Sequence, residues 1–326
     1  MIDFSKFESY VAMTQHFNNN DICKEAIIET RWGAGEQQDI VCPYCGTHKC
    51  SKRKDGKFRC RHCMNNFSFK IGTIFEGSRI SLEKWFIAMY LISSHKKGIS
   101  SCQLGRDLNV TQKTAWNMLH KIRNLFAQED NWIFKGKVEC DEVYVGGKEK
   151  WKHQSMKTPH TQGRSAKTKT PVFGLMERSM IINKQGIPEP MSYVRAFVVK
   201  NTNGATLKPI ISRFISKGST VFTDELKSYS QLSKIGYMHK VCNHGVHQFV
   251  CEGETYTNNI ECFWGHFRRM ITGCYHNVSD AYLQTYVNEA SFRWNTRKIC
   301  ESRRFFQMFQ KSIGLVKTYK EFVQCF

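Results

Sequence analysis

The 326-residue chain carries 48 Lys and Arg against 28 Asp and Glu, a formal net charge of +20, with 13% aromatic residues. So large an excess of positive charge favours a polyanionic partner over an acidic small substrate, and the aromatic content excludes a disordered basic tail. No run of about eighteen apolar residues exists, so no membrane-spanning helix is expected, and Met1-Ile2-Asp3-Phe4 lacks the pattern of a signal peptide. The 14 cysteines then read as thiols or metal ligands in a reducing, cytoplasmic setting, not as a disulfide framework.

Residues 1–40 read as a helical preface. Phe7, Tyr10, Val11 and Phe17 suggest one amphipathic segment, and Cys23, Ile27 and Ile28 a second that ends at Arg31-Trp32-Gly33. Residues 41–70 carry the most specific local signal. Cys42-Pro43-Tyr44-Cys45 and Cys60-Arg61-His62-Cys63 are two Cys-x-x-Cys knuckles with fourteen residues between them, near the spacing of a four-thiolate site for one structural Zn²⁺. Cys50 and His62 are alternative ligands that the paired knuckles disfavour. Between the knuckles, Lys52-Arg53-Lys54-Asp55-Gly56-Lys57-Phe58-Arg59 reads as a hairpin with an Asp-Gly turn, so this is a zinc ribbon. Its eight basic residues against one Asp make Lys52, Arg53, Lys54, Lys57 and Arg59 candidates for phosphate contact; a ribbon that only braces its neighbours is the alternative.

Residues 80–130 turn helical. Trp85, Phe86, Met89, Tyr90 and Ile92 line one helix. Gly98-Ile99-Ser100-Ser101 then starts a short helix through Leu104 and Leu108, Asn109-Val110-Thr111 makes a turn, and Thr111-Gln112-Lys113 starts another helix. Short helix, tight turn and a second helix opening with small polar residues describe a helix-turn-helix, although ordinary three-helix bundles share the periodicity. In the DNA-binding reading Gln112, Lys113, Thr114 and Asn117 face bases or phosphates, while Ala115, Met118, Leu119 and Ile122 pack inward.

A further domain spans 136–300, followed by a helical tail, 301–326. Lys137–Val145 is extended and delivers Asp141 before Gly146-Gly147. Lys148 to Thr170 holds seven basic residues, Lys148 among them, and cannot bury itself; a substrate backbone orders it, or it is a solvated insertion. Pro171–Met176 and Tyr193–Val199 read as strands, Ala205–Ile215 as a helix, Ser219–Thr223 as a strand delivering Asp224, Ser228–Ile235 as a short helix and Met238–Cys242 as a fifth strand. Thr257-Asn258-Asn259 then opens a helix with Glu261 near its N-terminus and Phe263, Phe267 and Met270 at helical spacing. Three strands, a helix, then strand, helix, strand is the order of an α/β, RNase H-like mixed sheet flanked by helices, with the first strand beside the fourth. Carboxylates on adjacent strand ends, joined by one from a helix, can converge on hard divalent cations and build a two-metal phosphoryl-transfer site. Taken singly, each acid is a cap or a solvated charge.

Several stretches carry a family likeness: Asp141-Glu142-Val143-Tyr144-Val145-Gly146-Gly147-Lys148, Thr223-Asp224-Glu225, Val241 to His244, Thr257-Asn258-Asn259-Ile260-Glu261, Gly273 to Ser279 and Arg293-Trp294-Asn295. Through them the chain resembles bacterial insertion-sequence transposases of the DDE class, in the Merlin-related group with an N-terminal zinc ribbon. The resemblance covers nearly the whole chain. It implies that Asp141, Asp224 and Glu261 hold two Mg²⁺ or Mn²⁺, with Asn258 as the alternative third residue, and that Arg268 and Arg269 contact DNA where the family has Lys-Arg. It also implies that Asn243 and His244 orient the scissile phosphate. The partners it implies are double-stranded DNA, both terminal inverted repeats and target, and further copies of the chain as a dimer or larger complex on paired ends. The expected setting is a bacterial cytoplasm, associated with the nucleoid. The expected reaction is cleavage at the element ends and transfer of the 3′-hydroxyls to target DNA. A DNA-binding regulator that has lost its chemistry and a nuclease without strand transfer are the other classes.

Overall fold

The computed structural model describes residues 3–35, 38–127, 132–146, 153–159, 168–183, 185–242 and 256–314. The chain divides into two compact units, 1–125 with 297–326, and 126–296.

In the first unit, α1 (Tyr10–His16) and α2 (Asn20–Trp32) begin where side-chain oxygens accept from otherwise unpaired amides. Ser9 accepts from the N–H of Ala12, and Asn19 from those of Asp21 and Ile22. α2 stops at Gly33, whose φ of 86° suits a residue without Cβ. The sequence pattern put Tyr10 and Val11 on the packed face of the first segment. Both are largely exposed, and Met13 and Phe17 are buried instead, because the helix starts only at Tyr10 and turns Met13 inward. The ribbon is a three-stranded antiparallel sheet of β1 (Cys50–Lys52), β2 (Phe58–Cys60) and β3 (Asn66–Phe67). Asp55 and Gly56 make its turn, with Gly56 at φ 75° and the Asp55 carboxylate accepting from the Lys57 N–H. Trp32 of α2 meets Phe58 and Phe67 edge-on at 5.0 and 6.2 Å, so α2 shares the small core of the ribbon.

α3 (Leu82–Ser94) buries Trp85, Phe86, Met89, Tyr90 and Ile92, the stripe expected of it. α4 (Ser101–Leu108) and α5 (Gln112–Asn124) are capped by Ser100 and Thr111, and Asn109 between them takes the left-handed conformation that makes the turn tight. A Cβ at Gly105 would stand 3.1 Å from the Val110 carbonyl, so the small residue lets α4 approach the turn.

In the second unit, a five-stranded sheet comprises β4 (Lys137–Val145), β5 (Thr170–Ile182), β6 (Pro188–Val198), β7 (Thr220–Thr223) and β8 (Met238–Val241), in the order β6-β5-β4-β7-β8. β4, β5 and β6 run antiparallel, while β7 joins β4 in parallel and β8 joins β7 in parallel. The expected adjacency of the first and fourth strands is present. β5 and β6 are longer than their apolar cores predicted, because they continue into the hairpin that pairs Ile182 with Pro188. The helix expected over Ser228–Ile235 is instead two 3₁₀ turns, Lys227–Tyr229 and Ser233–Ile235, the second ended by Gly236 in the left-handed region.

Alternation along the strands divides the core. Val138 and Cys140 face α6 (Gly204–Phe214), with Phe173, Leu207, Ile211 and Tyr229. Val143 faces the other side, toward α7 (Asn258–Met270) and α8 (Asp280–Asn295), with Val172, Ile260, Phe263 and Trp264. On the free side of β6, α8 replaces a missing strand. Gln284 accepts from the Val198 N–H and donates to the Ala196 carbonyl, and Asn295 does the same for the N–H and carbonyl of Val194. The chain then returns to the first unit, where Phe309 of α9 (Glu301–Ser312) lies 5.1 Å from Phe86.

Gly174 pairs with Asp141 across β5 and β4, and a Cβ there would meet the Trp264 ring at 2.6 Å and Ile260 at 3.1 Å. Gly174→Ala should therefore cost about 1–3 kcal/mol in urea unfolding. An unchanged midpoint would show that α7 can draw back without cost.

Candidate active site

The site begins with a buried carboxylate. Glu139 is fully buried, yet its charge is partnered on every side. Arg178, two pairs along β5, donates from Nε at 2.7 Å, Asn259 from Nδ2 at 2.8 Å, and the backbone N–H of Ile260 at 2.9 Å. α7 has no side-chain cap of its own at Thr257. Glu139 supplies one from the sheet, placing negative charge at the positive end of the helix. Arg178 also donates to the Tyr256 carbonyl, and its guanidinium lies 4.2 Å from the Phe222 ring centre and 3.7 Å from that of Tyr256. β4, β5, β7 and α7 are thus tied at one point.

That point fixes the acids. β4 and β7 pair as far as Glu139 with Phe222, and the same register continued brings Asp224 level with Asp141. Asp224 follows β7 directly, and its Oδ1 accepts from the Leu226 N–H at 3.0 Å. The hydroxyl of the preceding Thr223 is hydrogen-bonded to His239 Nε2 at 2.9 Å, and burial pushes that imidazole's pKa down. Asp141, Asp224 and Glu142 bring one oxygen each to within 4.8 Å of one another. Glu142 is steadied by the buried Tyr229, whose hydroxyl donates to its Oε1 at 2.7 Å. Glu261 stands exposed in the first turn of α7, outside that group but near enough to act on the Asp141 charge. Asn258 is the exposed first residue of the same helix.

The crowding shows in the protonation of Asp141. Burial first, then Glu142, with Asp224 and Glu261 adding, push its pKa up to about 8, against the pull of the Glu142 backbone amide. Carboxylate oxygens this close are the donor set of a hard divalent cation, and Mg²⁺ or Mn²⁺ fits them. In the ribbon, the Sγ atoms of Cys42 and Cys63 lie 3.7 Å apart, and those of Cys45 and Cys60 3.6 Å. Tetrahedral zinc with bonds of about 2.3 Å needs sulfurs about 3.8 Å apart, so the four thiols fit structural zinc. Cys50 instead turns its thiol to the Thr47 carbonyl.

The other expected residues are spread over both units. Lys52, Arg53, Lys54, Lys57 and Arg59 are all exposed, with Arg53 bonded to Asn66 and paired with Asp55. On α5, Gln112, Lys113 and Asn117 are exposed, while Thr114 is half-buried and bonded to Thr111; Ala115, Met118, Leu119 and Ile122 are buried. Arg268 and Arg269 are exposed in the last turn of α7. Lys148, Asn243 and His244 lie outside the described residues. The residues that sequence reading did not find are Glu139, Glu142, Arg178, Asn259 and Tyr229. Glu139 and Glu142 flank Asp141 in the same short stretch, and a carboxylate at a position of β4 flanked by buried apolar residues was the available signal.

A mixed sheet between helices, with acids at the ends of two adjacent strands and on a following helix, is the RNase H-like architecture of a DDE transposase domain. Residues 133–295, half of the chain, match the ISXO2-like transposase domain, and residues 18–66 match a transposase zinc-ribbon domain. The chain belongs to the ISXO2-like transposase family. It is 26% identical over 279 residues to a Halobacterium salinarum protein described as an uncharacterized protein in transposable element ISH50, covering 82% of this chain and 88% of the relative. An uncharacterized transposase-like protein of Haemophilus influenzae is 32% identical over 106 residues, 32% of this chain and 84% of the relative. Among the described residues no helix is long and apolar enough to cross a membrane.

Two outcomes follow from this geometry. Arg178→Met leaves Glu139 buried without its cation and should lower unfolding free energy by about 3–5 kcal/mol; a loss within the noise of urea titration would mean that Asn259 and the helix amide suffice. For Asp141, the unfolded carboxyl ionises near 3.9, so from about pH 4 to about 8 the folded, cation-free protein keeps a proton that the unfolded chain has released. Stability is therefore highest at the acid end of that window and is lost as pH rises through it. Melting in divalent-free buffer should fall from pH 6 to pH 8, and Asp141→Asn should flatten the slope. A slope equal in both proteins would assign the titration elsewhere.

Proposed function

We propose that the chain cuts the ends of a mobile DNA element and joins the freed 3′-hydroxyls to target DNA. The observation that carries this reading is the meeting of Asp141, Glu142 and Asp224 within 4.8 Å at neighbouring strand ends of the transposase domain, with Glu261 beside them on α7.

Asp141, Asp224 and Glu261 hold two Mg²⁺ or Mn²⁺, with Asn258 the alternative third residue and Glu142 a further carboxylate on the same cations. When bound, such cations neutralise phosphate charge and make water or a 3′-hydroxyl nucleophilic near neutral pH. The remaining work belongs to the chain. The N–H of Leu226 and the hydroxyl of Tyr229 keep Asp224 and Glu142 from rotating away, and Glu139 keeps α7 in register with β4. Arg268 and Arg269, on the helix that carries Glu261, neutralise phosphates along the strand, and Arg can bridge two phosphate oxygens. Asn243 and His244 keep the phosphate-orienting role that the family likeness implies, and Lys148 opens the basic stretch that a substrate backbone would order. No side-chain nucleophile is required, so Ser and Tyr take no covalent part.

Element recognition falls to the first unit. α5 presents Gln112, Lys113 and Asn117 to the major groove as the second helix of a helix-turn-helix, with Thr114 at its margin. Lys52, Arg53, Lys54, Lys57 and Arg59 add sequence-independent contacts to the backbone. Two or more copies act on paired ends, in a bacterial cytoplasm.

The test uses purified protein, Mg²⁺ and a labelled element end, comparing wild type with Asp141→Asn and Asp224→Asn. Wild type should cleave and join, while both variants bind the end and do neither, a fall of at least about a thousandfold. Cleavage without joining would make it a nuclease. Binding without cleavage by wild type would make it a regulator.

A further inference from the structure

Beside the acids lies a cleft of about 790 Å³, within the range of a small-ligand site. Glu142 forms part of its wall, so it opens from the carboxylate group itself. Val145, Phe267, Ile271 and Val278 are among its apolar lining, and two cations, Lys169 and Arg268, also line it. An apolar surface flanked by cations is the recognition chemistry of a nucleotide: the face of a base takes the apolar wall, and the phosphate takes Lys and Arg.

Glu142 and Arg268 both line the cleft, so the carboxylate group and the basic end of α7 border it. Glu261, Gly265 and Arg268 recur at steps of four and three residues, so they share one face of α7, and Thr272 follows in the turn beyond its end. Glu261 and Arg268 stand about 10 Å apart along the axis, roughly three steps of a DNA strand. Gly265 between them offers no side chain, and the atoms nearest to a Cβ there belong to Arg269, 3.7 Å away. At the far end α7 passes into a π-helical turn, Ile271–Tyr275, followed by His276 at φ 58°, an unusual backbone for a residue with a Cβ. The turn is held firm because the Tyr275 hydroxyl donates to both oxygens of buried Glu289, at 2.8 and 3.0 Å. Ile271, Thr272, His276 and Val278 all line the cleft, so this fixed irregular backbone shapes its wall.

We propose that the cleft takes one unstacked nucleotide of the DNA strand lying across the carboxylates. The proposal rests on the cut-and-join reading for the presence of that strand. A base within a duplex offers its edges to protein and hides its faces, so an apolar wall is of use only to a base that has left the stack. The rigid wall and its cations then hold the strand a few nucleotides from the acids, fixing which phosphate they meet.

The test is equilibrium binding by fluorescence anisotropy, in Mg²⁺-free buffer, of full-length protein to a labelled duplex bearing the terminal repeat that flanks its coding sequence. Single abasic sites are walked along each strand. One abasic position should tighten binding by wild type several-fold, because no base need be unstacked there. Val278→Trp and Thr272→Trp fill the cleft, and Thr272 is exposed, so its replacement does not burden the core. Both should weaken binding of the intact duplex about tenfold and of the duplex abasic at that position less than about twofold. Equal loss on intact and on every abasic duplex, or no loss, would overturn the proposal. So would a wild type with no abasic preference whose DNA is displaced by free nucleoside monophosphate, which assigns the cleft to a diffusible nucleotide. Cleavage of the same duplexes in Mg²⁺ is scored separately. Its absence with the abasic pattern intact refutes the cut-and-join reading and leaves the cleft.

Discussion

A single buried carboxylate, that of Glu139, ties the sheet of the transposase domain to α7. An ionised group so deeply buried is tolerated only when its oxygens are fully engaged, and Arg178, Asn259 and the amide of Ile260 engage them. The partners come from a strand and a helix far apart in sequence, so satisfying the charge also docks the helix. Gly174 completes the docking by letting Trp264 rest on the strand surface. The position of Glu261 relative to Asp141 is therefore a property of the sheet, and a loop need not set it.

The same economy governs the acids. Parallel pairing of β4 with β7 brings two carboxylates level, and the end of that pairing lets Glu142, from the opposite face, join them. Burial first, and then repulsion within the group, raise the pKa of Asp141. A site with excess negative charge built into a chain of net +20 is polarised: cations are drawn to one small spot, and polyanions to the surface around it.

Much of this was legible in the sequence. The ribbon announced itself through Cys spacing, and α3, α4 and α5 through apolar stripes, because these features depend on neighbours within a few residues. Asp141 and Asp224 were singled out because β-branched and aromatic runs lead into them, and the structure brings their oxygens together. Glu139 and Glu142 were not, since adjacent strand residues point to opposite faces and only the fold reveals that both faces have a use for an acid. The 3₁₀ turns at Lys227–Ile235 also escaped, because their apolar residues, Tyr229 and Leu232, sit at a spacing that a longer helix would share. Asn295 stood out in Arg293-Trp294-Asn295 only as a family likeness; the structure gives it a physical task, clasping the backbone of Val194.

That clasp has a further consequence. Gln284 and Asn295 close the edge of the sheet with neutral carboxamides, which mimic a neighbouring strand without carrying charge. Added salt screens a Lys or Arg on phosphate steeply but leaves an amide pair on a backbone nearly untouched. The two kinds of adhesion in this molecule thus answer to different variables. On the DNA-binding reading proposed above, ionic strength would loosen the grip on DNA while the sheet that carries the acids stays sealed.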